Sequence, residues 1–202
     1  MQQPISDWLD DLASAAPAPG GGAAAALLAA TGAALVSMVT NLTIGNPKYA
    51  GHEPHMMRVR DQVTALRHDA VALAEADAAA FSAVIAAYRL PKDAGGRAET
   101  IQQALVAAAR VPLRLAGIAA EVIRAAESVL AGANPNVLSD VAVAADAARA
   151  ALTSAGYNVR INVAALKDEA IGAALNRELE THLLAVAVAD RVSAAVVKRI
   201  GE

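Results

Sequence analysis

An all-α bundle of about five to six helices is the fold this sequence predicts, on three observations. Apolar residues make up 56% of the 202 positions, yet one Phe, one Trp and three Tyr are all the aromatics present, so alanine must do much of the packing, and alanine is the best helix former. Apolar positions recur at steps of three and four over long stretches, as on one face of a helix. Few segments alternate with the period of two that a half-buried strand requires. No Pro/Gly/Ser-rich linker divides the chain, so a single domain over residues 1–202 is expected.

The elements follow in order. Ile5 to Ala15 reads as a short amphipathic helix, with Ser6 as N-cap and Ile5, Trp8, Leu9 and Leu12 on one side. Pro17-Ala18-Pro19-Gly20-Gly21-Gly22 cannot continue it. A second helix, about Ala23 to Leu42, is apolar all round and is expected at the centre. No charged side chain occurs from Leu12 to Pro47, and Ala23 to Val39 is just long enough to cross a bilayer. Its Ala and Gly give little transfer energy, and Asp7, Asp10 and Asp11 before it have the wrong sign for a signal peptide, so a buried core helix is expected and no membrane partner.

Gly45 to Tyr49 reads as a turn. The third helix, about Pro54 to Tyr88, carries the stripe Val59, Val63, Leu66, Ala70, Leu73, Asp77, Phe81, Val84, Tyr88, with a carboxylate in the middle of apolar neighbours. Leu90-Pro91-Lys92 and Gly95-Gly96 end it. Arg97 to Leu130 forms the next, burying Ile101, Leu105, Ala108, Leu115, Ile118, Val122 and Val129, with a kink expected at Pro112. Asn134 to Asp140 has the residues of a helix start, and helix is expected from there to about Ser154. Tyr157 to Val163 alternates like a strand without a partner strand, so an extended connector or a helix interruption is expected. Leu166 to Ile200 reads as the last helix, using Ile171, Leu175, Leu179, Leu183 and Val192.

A net charge of −3 with no Lys/Arg block removes the basis for tight binding to a phosphate backbone, so no nucleic-acid partner is expected. Zero cysteines exclude disulfides, thiolate metal sites and a Cys nucleophile, and fit a cytoplasmic protein. His52-Glu53-Pro54-His55 does not have the spacing of a His-Glu-x-x-His zinc helix, and no metal is expected.

Three features could carry chemistry. Gly20-Gly21-Gly22 opening an apolar helix could cradle an anion on backbone N–H groups, or simply let a neighbouring backbone pack closely. Asp77 is costly to bury alone, so it is either paired with an arginine or faces a pocket where a shifted pKa suits acid/base work. Asp140 near a helix start could be ordinary N-terminal stabilisation, and Lys48 taken alone is a surface charge.

Taken in order, several segments resemble the formiminotetrahydrofolate cyclodeaminase and methenyltetrahydrofolate cyclohydrolase family. They are Leu9-Asp10-Asp11-Leu12-Ala13, Pro17 to Gly22, Gly32 to Val39, Asn41 to Gly45 with Lys48-Tyr49, Asp77 with Ala80-Phe81, and Leu90-Pro91-Lys92. Ile101-Gln102, Val111-Pro112-Leu113, Asn134 and Asn136 with Ser139-Asp140, and Asn158 to Asn162 continue the series, which covers about residues 5 to 170. The resemblance implies an all-α homodimer or assembly of dimers, a tetrahydrofolate site near the subunit interface, and no cofactor beyond the folate substrate. It implies hydrolysis of 5,10-methenyltetrahydrofolate to 10-formyltetrahydrofolate, with cyclisation of formiminotetrahydrofolate and loss of ammonia as the alternative. Asp77, Asp140 and Lys48 are then the catalytic candidates, and Gly20, Gly21, Gly22, Asn41, Asn134, Asn136 and Ser139 the substrate-binding ones. The chain departs from the family pattern at Asn46-Pro47-Lys48, where the family has more lysines, and at Ala23 and Ala142, so a folate-binding protein without turnover and a non-catalytic helical scaffold remain alternatives.

Overall fold

The computed structural model describes residues 3–201 and contains, among them, seven α-helices and no strand. They are α1 (Ile5–Ala13), α2 (Gly21–Asn41), α3 (Glu53–Arg89), α4 (Arg97–Val129), α5 (Leu138–Ala164), α6 (Glu169–Leu183) and α7 (Ala185–Ile200), with 3-10 turns at Pro47–His52 and Pro135–Val137. The helix α2 is the central element, as its uncharged sequence requires. It packs on α3, α4 and α5, while α6 and α7 close the far side against α4 and α5.

Small residues set the helix spacing. Ala29, Ala33, Val36 and Val39 of α2 are fully buried, as are Ala144, Ala145, Ala148 and Ala151 of α5. Gly32 lies where α2 meets α5 and α4. A Cβ there would stand 2.8 Å from the carbonyl oxygen of Ala144 and 3.3 Å from side-chain atoms of Ala148 and Val122. Thr40 and Thr43, buried at the end of α2, hydrogen-bond to the carbonyls of Ser37 and Val39 and so leave no polar group unmatched.

Both α2 and a stretch of α3 are long and apolar enough to cross a membrane, but more than half of the α2 stretch is buried by the bundle. The α3 stretch is mostly uncovered, and α3 carries Glu75 and Asp77 in that region.

Several expectations need correction, among them Ser6 as N-cap: it lies inside α1, which Pro4 precedes, and its hydroxyl donates to Asp7. Tyr157–Val163 is neither extended nor an interruption: α5 runs unbroken to Ala164, because Ala155, Gly156 and Val159 are buried in the bundle and continue its helical contact face. The last helix is two helices, broken at Leu184, with Leu179 and Val192 buried on either side. The stripe on α3 is buried from Val59 to Leu73 only: beyond it Phe81 and Tyr88 are 43% and 49% exposed, because α4 meets that end of α3 through Val84 and Ala87, packed on Ile101 and Leu105, and not through Phe81 or Tyr88. On α1, Trp8 is buried but Ile5 and Leu9 are exposed. At Pro112 the helix α4 continues without ending, and its i−4 carbonyl acceptor, Ala108, is taken up elsewhere, as described below.

Replacing Gly32 by Ala sets two effects against each other. Helix propensity favours Ala by about 1 kcal/mol, whereas overpacking against backbone costs about 1–3 kcal/mol. Because the nearest atom is a carbonyl oxygen of a neighbouring helix, overpacking wins, and Gly32→Ala is expected to lower stability by about 1–2 kcal/mol in urea unfolding.

Candidate active site

Gly20, in extended conformation, precedes the first turn of α2, and no side chain caps that turn. Asp77 on α3 lies against it. A Cβ at Gly22 would collide with Oδ1, Cγ and Oδ2 of the Asp77 carboxyl, so the glycine is what lets the two helices hold the carboxylate in this place. Around it is a cavity of about 430 Å³, walled by Pro17, Ala18, Gly20 to Gly22, Asp77, Phe81, Ala108, Asn158 and Asn162 among others. That size lies in the range of small-molecule sites.

Asp77 is half-buried, and among the described residues it has no hydrogen-bond donor and no cation partner. The choice between a paired and a pocket-facing carboxylate is thereby decided for the pocket. Burial, which disfavours the charged form, pushes the Asp77 carboxyl above its usual range.

The same cavity is lined by two asparagines, Asn158 and Asn162, that are not among the candidates the sequence pointed to. Asn158 Nδ2 donates to the Ser154 carbonyl at 2.9 Å. Asn162 Nδ2 donates to the carbonyls of Asn158, at 2.8 Å, and Ala108, at 3.4 Å. Ala108 is the residue four before Pro112, and proline has no N–H to bond that carbonyl. The missing helical bond in α4 therefore orients a side chain on α5. With both amide nitrogens engaged, Oδ1 of each asparagine is the atom left to accept a bond in the cavity. Their i, i+4 spacing was the available signal, hidden by the extended reading of Tyr157–Val163.

The remaining candidates gather at the other end of α2. Asn46 Oδ1 accepts from the Lys48 N–H at 3.0 Å, the Asn134 N–H donates to Thr43 Oγ1 at 3.1 Å, and Tyr49 Oη donates to Asn134 Oδ1 at 3.4 Å. Asn134 also accepts from the Asn136 N–H and donates to the Leu42 carbonyl, so its side chain acts as a clasp between two turns. Lys48, Asn41, Asn136 and Ser139 are exposed there, and Asp140 is half-buried in the first turn of α5. Since α2 has 21 residues, this group lies about 30 Å from Asp77 and Gly22. Within one chain the candidates form two groups, not one centre. Among the described residues no cluster of three or more His, Cys, Asp or Glu could hold a metal ion.

Residues 4–181 match the family described as formiminotransferase-cyclodeaminase. The chain belongs to that family. Over 144 residues, 69% of each protein, this cyclodeaminase-family chain is 44% identical to methenyltetrahydrofolate cyclohydrolase of Methylorubrum extorquens. It is 33% identical over 149 residues to formimidoyltransferase-cyclodeaminase of Sus scrofa, a match that takes in 72% of this chain and 28% of the pig protein. The crystal structure of formiminotetrahydrofolate cyclodeaminase from Thermotoga maritima superimposes with a TM-score of 0.92, at 28% identity and covering 98% of both chains. The all-α bundle expected from the sequence is thus the fold of this cyclodeaminase family.

The raised pKa of Asp77 gives a test of its environment. A buried carboxyl whose folded pKa lies above its unfolded value contributes stability at low pH and loses it as pH rises through the folded pKa. Asp77→Asn is therefore expected to raise the melting temperature at pH 7 to 8, with the gain shrinking toward pH 3. Melting curves across that range check the sign.

Proposed function

We propose that this chain hydrolyses 5,10-methenyltetrahydrofolate to 10-formyltetrahydrofolate, and that Asp77 is the group that activates water. The observation that carries this reading is an unpaired, half-buried carboxylate in a cavity whose walls also offer asparagine oxygens and an open helix terminus. The 44% identity to a methenyltetrahydrofolate cyclohydrolase supports the choice of substrate.

The methenyl carbon bridges N5 and N10 in a cationic amidinium, and a nearby carboxylate steadies that cation while excluding few other partners. Water adds to the carbon as Asp77 takes one of its protons. The bond from carbon to N5 then breaks, N5 gains a proton, and the hydroxyl oxygen loses its own to become the formyl carbonyl. One proton in total leaves to solvent. Because the carbon is already electrophilic, the reaction needs no cofactor beyond the folate. A carboxyl whose pKa is raised by burial is the stronger base, and the arriving cation favours its charged form. Asn158 and Asn162 accept from the N–H groups of the pterin.

Lys48, with Asp140 beside it in the second group, delivers the proton to N5 from a partner chain. The exposed face of α2, Gly21, Leu28, Thr31, Met38 and Asn41, carries no charge and links the two groups. Pairing it with the same face of a second copy about a two-fold axis sets each Lys48 end beside the partner's Asp77 end. Gly20, Gly21, Gly22, Asn41, Asn136 and Ser139 then line one composite site, and the enzyme is a cytoplasmic homodimer. The likeness to a formiminotetrahydrofolate cyclodeaminase supports formiminotetrahydrofolate as a second substrate to assay.

Loss of the near-ultraviolet absorbance of methenyltetrahydrofolate is expected to be accelerated by the protein. Asp77→Asn lowers kcat by at least about a hundredfold with the helical circular dichroism unchanged. No acceleration with either substrate sinks the enzyme reading. Mixing inactive Asp77→Asn and Lys48→Met chains under conditions of subunit exchange is expected to restore about a quarter of the sites. Sites contained in one chain would gain nothing from mixing.

A further inference from the structure

The second cavity beside the site is not accounted for by the chemistry above. About 630 Å³ in volume, it is lined by Pro17, Ala18, Phe81, Ile85, Arg89 and Leu90 among others. Pro17, Ala18 and Phe81 also wall the Asp77 cavity, so the two adjoin along one side of α3 and together make a trough. Its floor is a single ridge of α3. Asp77, Phe81, Ile85 and Arg89 succeed one another at intervals of four residues, a row of side chains along one side of a helix.

That row has an order of charge: carboxylate, aromatic, aliphatic, guanidinium. Phe81 and Ile85, 43% and 36% exposed, give the middle of the row an apolar surface that faces the second cavity. Neither cavity has any acidic lining residue apart from Asp77, and among the described residues no carboxylate pairs with Arg89. The neighbouring Arg97, by contrast, is committed: its guanidinium donates to the carbonyls of Tyr88, at 2.9 Å, and Leu90, at 3.0 Å, and so fixes the chain where α3 ends.

We propose that Arg89 is the anchor for the glutamate carboxylates of the substrate, and that the Phe81–Ile85 shelf holds its p-aminobenzoyl ring. This rests on the folate reading given above and deepens it. The substrate is polar in the same sense as the trough, with a cationic amidinium at one end, a flat apolar ring in the middle and an anionic glutamate at the other. Arg89 is twelve positions beyond Asp77 on the same helix, about 18 Å along the axis. Helical side chains lean toward the N-terminus. An extended arginine therefore brings its guanidinium back to within roughly 12 Å of Asp77, and N10 and the glutamate side-chain carboxylate are on the order of 10–12 Å apart in an extended arm. The same polarity excludes the reversed pose, which would set the glutamate against Asp77.

Arg89 is exposed and touches no reacting atom, so it is a specificity residue and its signature is in KM. The test compares methenyltetrahydrofolate with the methylamide of methenyltetrahydropteroate, which keeps the rings and replaces glutamate by a neutral cap. The unmodified protein is expected to show a KM about tenfold lower for the glutamyl substrate, the worth of a partly exposed charge-assisted hydrogen bond. Arg89→Gln is expected to close that gap by raising the glutamyl KM about tenfold. Arg89→Lys recovers part of the preference because it keeps the charge without the fork. Raising KM equally for both substrates, or leaving the glutamyl KM where it was, overturns the assignment while the folate reading stands. If the unmodified protein turns over neither compound, the folate reading itself fails and the anchor with it.

Discussion

Two helices approach each other at the start of α2 closely enough that one of them must lack a side chain, and the group filling the space so released is the carboxyl of Asp77. Everything proposed for the site depends on this contact. It takes the carboxyl partly out of water, which raises its pKa, and it sets it at the N-terminal end of the central helix, where a ligand can reach both. Any side chain at position 22 would move the carboxyl or part the helices, so the glycine matters for room and not for backbone freedom. The close packing that makes this possible runs through the whole bundle, as the tight spacing at Gly32 shows from the other half of the same helix.

A second dependency runs from α4 to α5. Proline inside a helix removes a hydrogen bond and is ordinarily a cost. Here the carbonyl of Ala108, four residues before Pro112, accepts from Asn162 on the neighbouring helix. The defect becomes an interhelical contact, and it determines which end of the asparagine amide is free in the cavity.

The sequence made the long helices legible because their cause is local: alanine content and three-to-four periodicity set α2, α3 and α4 within a residue or two of their observed ends. Asp77 was legible for the same reason, as a charge among apolar neighbours of known phase. What could not be read depended on distant packing. Tyr157 to Val163 has the β-branched alternation of a strand, and only burial of Val159 within the bundle makes it helix. Its two asparagines were consequently not seen as a pair. Leu184, between α6 and α7, is neither Gly nor Pro and has no local signal for a break. Nor could periodicity reveal that α4 covers the end of α3 at Val84 and Ala87 and leaves Phe81 and Tyr88 exposed: an apolar face has the same pattern whether or not a helix packs on it.

The sole tryptophan, Trp8, is buried on α1, and it borders a hollow shared with Ala18, Pro19, Ala23 and Ala74. Ala18 also walls the Asp77 cavity, and Ala23 directly follows the glycine triplet. One intrinsic fluorophore thereby lies next to the rim of the Asp77 cavity. Its emission colour reports whether α1 is seated, so that undocking of this short helix, or an occupant pressing on the Pro17 to Gly22 rim, can be followed optically in the unlabelled molecule with no competing indole.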